Sequence, residues 1–211
     1  MPVHEPGFDS TTGLLVVDVQ NAIDDATWGP RNNPHAEDRI ASLLAAWRRL
    51  GWPIVHIRDD STNPASPYRP GQAGNDFKPA VAPLPGEIVV PKRTNSAFVG
   101  TDLRQHLADL RIVTLVVCGV LTHKSLEATV RNAGNLGFRV FVPSDCCWSV
   151  DKRDLRGKLW AAEDIHQLSL AHMHGDWLGL WRAPCVDGGD GNLPSRHRRG
   201  EAGGVDRRHA G

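Results

Sequence analysis

Long apolar runs are absent from this 211-residue chain, and no stretch approaches the length needed to cross a membrane. The first residues, MPVHEPGFDSTT, also lack the basic-then-apolar order of a signal peptide, so the expected location is the cytoplasm. Excess charge of either sign is absent as well. With 24 basic and 24 acidic residues, nothing electrostatic argues for nucleic acid or an anionic membrane as a partner. Cysteine is scarce, and the four present, Cys118, Cys146, Cys147 and Cys185, form neither C-x-x-C pairs nor a disulfide framework. They read as reduced thiols.

What is present is an alternation of apolar strands and amphipathic helices. Residues 13–17 (GLLVV) form a strand apolar on both faces that ends at Asp18. Ile40, Leu43, Leu44, Trp47 and Leu50 then recur at helical spacing, and Gly51 ends that helix. Residues 53–58 (PIVHIR) and 87–90 (EIVV) are further strands, separated by a connection rich in Pro, Gly, Asn and Ser. A connection that long inside a compact domain is usually functional, and its Tyr68 and Phe77 could close over a small ligand. A helix with Leu103, Leu107 and Leu110 on one face returns the chain to an apolar strand over residues 112–118. A helix bearing Leu126, Val130 and Ala133 follows it. Residues 139–142 are another strand; Leu155, Leu159, Ala162, Ile165 and Leu168 mark a long helix, and residues 176–181 supply a last strand. Strands and helices in this order imply an α/β fold, a parallel sheet covered by helices on both sides. Residues 1–183 are expected to be one domain. Residues 184–211 hold Gly, Arg, Asp and Pro with almost nothing large and apolar to bury, and are expected to be a disordered tail.

In such a sheet, ligands bind outside the carboxyl ends of the strands, where the next helix opens with unpaired N–H groups. Three strand ends carry Asp18, Lys92 and the Thr122–Ser125 turn. Each has a structural alternative: Asp18 can cap a turn, Lys92 can be a surface lysine, and Thr122 and Ser125 can cap the helix. Together, an acid, an amine and a hydroxyl at one sheet edge are the parts needed for acyl transfer.

The order and wording of three segments now resemble a family. LLVVDVQNAI, VVPKRTNSAF and CGVLTHKSLEATVRNAGNLGFRVFVPSD are similar to the first strand, the lysine segment and the nucleophile segment of the isochorismatase-like cysteine hydrolases. That superfamily also holds nicotinamidases, N-carbamoylsarcosine amidases and biuret hydrolases. The resemblance implies a three-layer α/β/α fold with a six-stranded parallel sheet of order 3-2-1-4-5-6. It implies Asp18 as general base, Lys92 as electrostatic support and a cis peptide between Val120 and Leu121. The Leu121 and Ser125 N–H groups would then form an oxyanion hole. Family members usually carry Cys three residues after the Thr, whereas here that position holds Ser125. Nicotinamidases carry an Asp and two or three His after the second strand. Asp59 and Asp60 here are followed by Ser, Thr and Asn, so no metal and no other cofactor is expected.

A serine cannot ionise as a thiol does, and three readings follow. Ser125 can be the nucleophile of an amide, imide or ester hydrolase, with Asp18 taking its proton. Asp18 can instead move a proton while water attacks, as in the branch that cleaves a vinyl ether without a cysteine. The site can also bind a small carbonyl compound without turning it over. The small-molecule pocket is expected to use Trp28, Phe77, Phe98 and Thr122. His123 and Lys124 either add positive charge that favours an anionic substrate or face solvent. The resemblance implies a homodimer or homotetramer, with Trp148 and Trp177 suited to an interface.

Overall fold

The computed structural model describes residues 7–175 and 178–181. The expected tail, Cys185 and Trp177 lie outside the described residues. The chain begins with β1 (Thr12–Val17), α1 (Ala36–Leu50), β2 (Ile54–Asp59), β3 (Ile88–Lys92) and α2 (Leu103–Asp109). It continues with β4 (Thr114–Val120), α3 (Glu127–Asn135), β5 (Arg139–Pro143), β6 (Cys147–Trp148), β7 (Lys152–Arg153), β8 (Leu159–Trp160), α4 (Ala162–Met173) and β9 (Leu178–Trp181).

The main sheet runs β3-β2-β1-β4-β5-β9, with every neighbouring pair parallel. Counting those six strands in chain order gives 3-2-1-4-5-6, and the short β6 adds to the carboxyl end of β4. β1 is buried throughout because both of its faces are covered. Leu14 and Val16 join the core under α1, with Ile40, Leu43, Leu44 and Trp47. Leu15 and Val17 join the opposite core with Leu103, Leu107, Leu126, Val130, Leu170 and Met173 of the α2, α3 and α4 side. One-residue alternation along a strand therefore feeds two cores. Each such buried Leu or Val contributes about 1.5–3 kcal/mol relative to exposure.

The expected stripe on the last long helix is corrected. Leu155 and Leu159 belong to the β7–β8 hairpin, where Leu155 is wholly exposed, and Leu168 is exposed on α4. The helix buries Ala162, His166, Ser169, Leu170 and Met173 instead. The cause is local: the Asp154 carboxylate accepts from the Arg156 and Lys158 N–H groups, closing a tight turn that turns back through Gly157. Those bonds compete successfully with a helix start. Trp148 is also corrected. It is fully buried beneath the Arg31 guanidinium, 3.8 Å from its ring, and cannot serve as an exposed interface residue.

Candidate active site

Asp18 follows the last residue of β1 with φ of 55°, held by its own N–H donating to the Ile57 carbonyl at 3.0 Å. Lys92 ends β3, in register with Asp59 at the end of β2. Beside them β4 must approach β1 closely, and Gly119 makes this possible. Its φ is 113°, and a Cβ there would lie 2.1 Å from the Val17 carbonyl oxygen. Past β4 the Val120–Leu121 peptide is cis, and residues Thr122–Leu126 form one wide π-type turn before α3. That turn carries Ser125 to the same edge.

The three groups meet. Lys92 Nζ lies 2.7 Å from Asp18 Oδ2, 3.9 Å from Asp59 Oδ2, and donates to Ser125 Oγ at 3.4 Å. The Lys92 side chain is fully buried, with Asp18 and Ser125 nearly so. Asp18 Oδ1 is buried and has no hydrogen-bond partner among the described residues. Burial pushes the Asp18 carboxyl up to about 6, against the pull of Lys92 and with the push of Asp59. Ser125 lowers it a little, although its hydroxyl does not complete a bond to Oδ1. Burial raises Asp59 as well, offset by Lys92 and Lys124.

Asp18, Asp59 and Ser125 floor a cleft of about 450 Å³. The loop after β2 supplies Ser61, Asn63, Ser66 and Tyr68; Trp28, Leu121, Lys124 and Lys152 supply the other walls. Of the expected pocket residues, Trp28 lines this cleft and Phe77, Phe98 and Thr122 do not. Phe77 packs edge-on against His56 at 5.7 Å, and Phe98 packs on Phe138 at 6.0 Å in the second core. Thr122 is turned inward, its hydroxyl 2.9 Å from His166 Nδ1, while Ser169 Oγ lies 3.1 Å from its carbonyl oxygen and 2.6 Å from Glu127 Oε2. His123 is corrected too. It bonds to Ser149 at 2.9 Å, and burial with the nearby Lys152 and Lys124 drops its pKa to about 4, so it adds no positive charge at neutral pH.

Asp59 and Lys152 escape sequence reasoning as site residues. Asp59 has a legible signal, since it ends the strand between those of Asp18 and Lys92. Lys152 has none, because the turn that brings it back depends on the hairpin beyond it. Cys118, Cys146 and Cys147 are buried free thiols, and burial raises all three, Cys147 to about 12. None of them lines the cleft. Among the described residues no three His, Cys, Asp or Glu side chains gather so as to hold a metal ion. No helix of the described residues is long and apolar enough to cross a membrane.

The sequence pattern of the isochorismatase domain matches residues 12–175. The chain belongs to the isochorismatase family. It is 38% identical over 173 residues to the isochorismatase family protein YrdC of Bacillus subtilis, spanning 82% of this chain and 92% of that one. An isochorismatase-family crystal structure from Chromobacterium violaceum superposes with a TM-score of 0.82 at 49% identity, covering 86% of this chain and 94% of that chain. A streptothricin hydrolase of Streptomyces noursei is 36% identical over 132 residues, which is 63% of this chain and 48% of that protein. Members of this family are hydrolases, and this chain is an isochorismatase-family hydrolase.

Proposed function

We propose that the chain hydrolyses a C–N bond (amide or imide) or an ester of a small carbonyl compound, through an acyl group carried on Ser125. The observation behind this reading is that the buried Lys92 contacts Asp18 at 2.7 Å and Ser125 at 3.4 Å, and that Asp18 and Ser125 both line one cleft. Ser125 Oγ attacks the carbonyl carbon as its proton passes to Asp18. The oxyanion so formed faces the Leu121 and Ser125 N–H groups. Collapse expels the amine or alcohol, which takes the proton from Asp18. Water then attacks the acyl carbon, Asp18 removes its proton, and Ser125 Oγ leaves and is reprotonated. A carboxylate is ordinarily too weak a base for a hydroxyl, and burial of Asp18 moves it in the needed direction. Lys92 keeps a cation beside both oxygens, which holds Asp18 ionised often enough to act. The family relative named for streptothricin supports hydrolysis as the reaction class.

A second reading has its own support. An Asp18 carboxyl near 6 is also a competent proton donor, and Ser125 Oγ is held by Lys92 rather than by Asp18. Asp18 would then protonate the substrate while water attacks, as a vinyl-ether cleavage requires. Intact mass spectrometry after incubation with amide, ester and vinyl-ether substrates separates the two. The first reading expects an adduct on Ser125 and loss of turnover in Ser125→Ala. Turnover retained in Ser125→Ala, without adduct, establishes the second. No turnover of any substrate in the wild type, with activity appearing in Ser125→Cys, means a binding protein on an intact scaffold.

A further inference from the structure

Two cations on the rim of the cleft have no part in the chemistry above. Lys124 stands in the turn just before Ser125, and Lys152 opens the β7–β8 hairpin. Both are exposed, and both line the cleft. Their ammonium groups lie 5.6 and 5.4 Å from the centroid of the same half-buried ring, that of Trp28. Among the described residues neither makes an ion pair with a carboxylate.

The charges around this space do not cancel. Lys124 and Lys152 line the cleft together with Asp18 and Asp59, and Asp18 is already committed to the buried Lys92 behind it. Asp59 feels Lys124 without touching it, and His123 is pushed toward its neutral form partly by both rim lysines. Among the described residues neither Lys124 nor Lys152 is held by a carboxylate in direct contact, and Asp59 offsets Lys124 only at a distance, so the rim keeps an excess of positive charge. Over distances inside a Debye length of about 8 Å, salt screens such a field only in part. Like charges held within 5.6 Å of the centroid of one ring repel each other, and an anion bound near both relieves the repulsion. Lysines act as point charges, so they select the sign of the bound group more than its shape. The ring of Trp28 adds a flat apolar wall beside them.

We infer that the substrate is a small acyl compound with a planar part and an anionic group such as a carboxylate, its plane on Trp28 and its anion between Lys124 and Lys152. This rests on the hydrolase reading of the same cleft. The sequence left His123 and Lys124 either as added positive charge or as solvent-facing residues; in the structure Lys124 lines the cleft with Lys152, and His123 bonds to Ser149 instead.

The test uses titration calorimetry on the full chain with two probes that carry no scissile bond, benzoate and benzyl alcohol. Wild type and Ser125→Ala are both expected to bind benzoate at least about tenfold more tightly than benzyl alcohol at low ionic strength, with the preference shrinking as salt rises. In the Lys124→Gln, Lys152→Gln double variant the preference is expected to vanish while benzyl alcohol binding stays unchanged. The Lys124→Arg, Lys152→Arg variant, which keeps the charge, is expected to retain it. Equal affinity for the two probes, binding of neither, or a preference that survives the glutamine substitutions overturns the inference. A benzoate preference without any Ser125 adduct or turnover would instead remove the hydrolase reading and leave an anion-binding cleft.

Discussion

Two carboxylates, one buried and one partly buried, at opposite ends of the same sheet, end up with opposite character. Asp18, at the carboxyl edge, is raised to about 6, whereas Glu87, at the entry to β3, is lowered to about 2. Burial raises both, so burial does not decide the outcome. Glu87 accepts from Arg48 Nε at 2.7 Å and Nη2 at 3.0 Å, from the Leu84 N–H at 2.9 Å, and lies 2.9 Å from His56 Nε2. Asp18 has one ammonium on Oδ2 and nothing on Oδ1, with Asp59 close by to repel it. Saturating a carboxylate with donors makes a fixed anion that ties α1 to the sheet. Starving it leaves a group that exchanges a proton near neutral pH.

The largest effect expected from this contrast comes from Asp18→Asn. Removing the base should lower kcat/KM by about 10²–10⁴-fold. Thermal melting should fall, because the fully buried Lys92 ammonium loses the carboxylate 2.7 Å from it and keeps only Asp59 at 3.9 Å. Activity retained despite a fall in melting temperature would mean that Asp18 is structural, like Glu87.

The pH dependence comes next. With Asp18 as base, kcat/KM should fall about tenfold per unit below its pKa of about 6 and flatten above it. Its stability effect has the opposite sense to that of Glu87. The native state holds the Asp18 proton more tightly than the unfolded chain, so stability declines as pH rises from near 3.8 to about 6. Glu87 contributes stability that is complete above 4.5 and is lost as pH falls toward about 2. Urea titrations across pH should show the first slope disappear in Asp18→Asn and the second in Glu87→Gln.

At neutral pH, Glu87→Gln should cost about 1–2 kcal/mol in urea unfolding, since the ion pair with Arg48 is lost and one of the two acceptor oxygens becomes a donor NH2, in a partly solvated setting. His56 sharpens this. Burial keeps it neutral, so it can donate from Nε2 to Glu87 and leave an unprotonated Nδ1 without a partner. Activity should change by less than about twofold, because no Glu87 contact reaches the cleft. A larger loss would join the two carboxylates into one system.

The sheet was legible in the sequence because β1, β2 and β4 are short apolar runs with chemistry at their ends, and that pattern needs no tertiary information. The meeting of Asp18, Lys92 and Ser125 was legible for the same reason, since strand ends of a parallel sheet share one edge. The walls of the cleft were legible only in part. Trp28 and Tyr68 line it while Phe77 and Phe98 do not, and all four sit in loops whose path is set by contacts made elsewhere. The hairpin at Lys152–Trp160 imitated a helical stripe by spacing alone, and the Asp154 turn that defeats it becomes visible only with its hydrogen bonds.

Phe98 gives the smallest effect and the cleanest check on where the cleft stops. Its ring packs on Phe138 with the second core, and its N–H donates to Ser96 Oγ at 3.2 Å. A leucine there keeps most of the apolar volume and loses the ring contact, so Phe98→Leu should lower unfolding stability by about 1 kcal/mol. KM for a working substrate should not move. Because the ring belongs to the core that also holds Leu126 and Val130 at the foot of the Ser125 turn, the substitution can loosen the turn, which would lower kcat alone. A rise in KM with kcat preserved would instead mean that the segment after β3 folds over bound substrate and that the aromatic wall extends beyond Trp28.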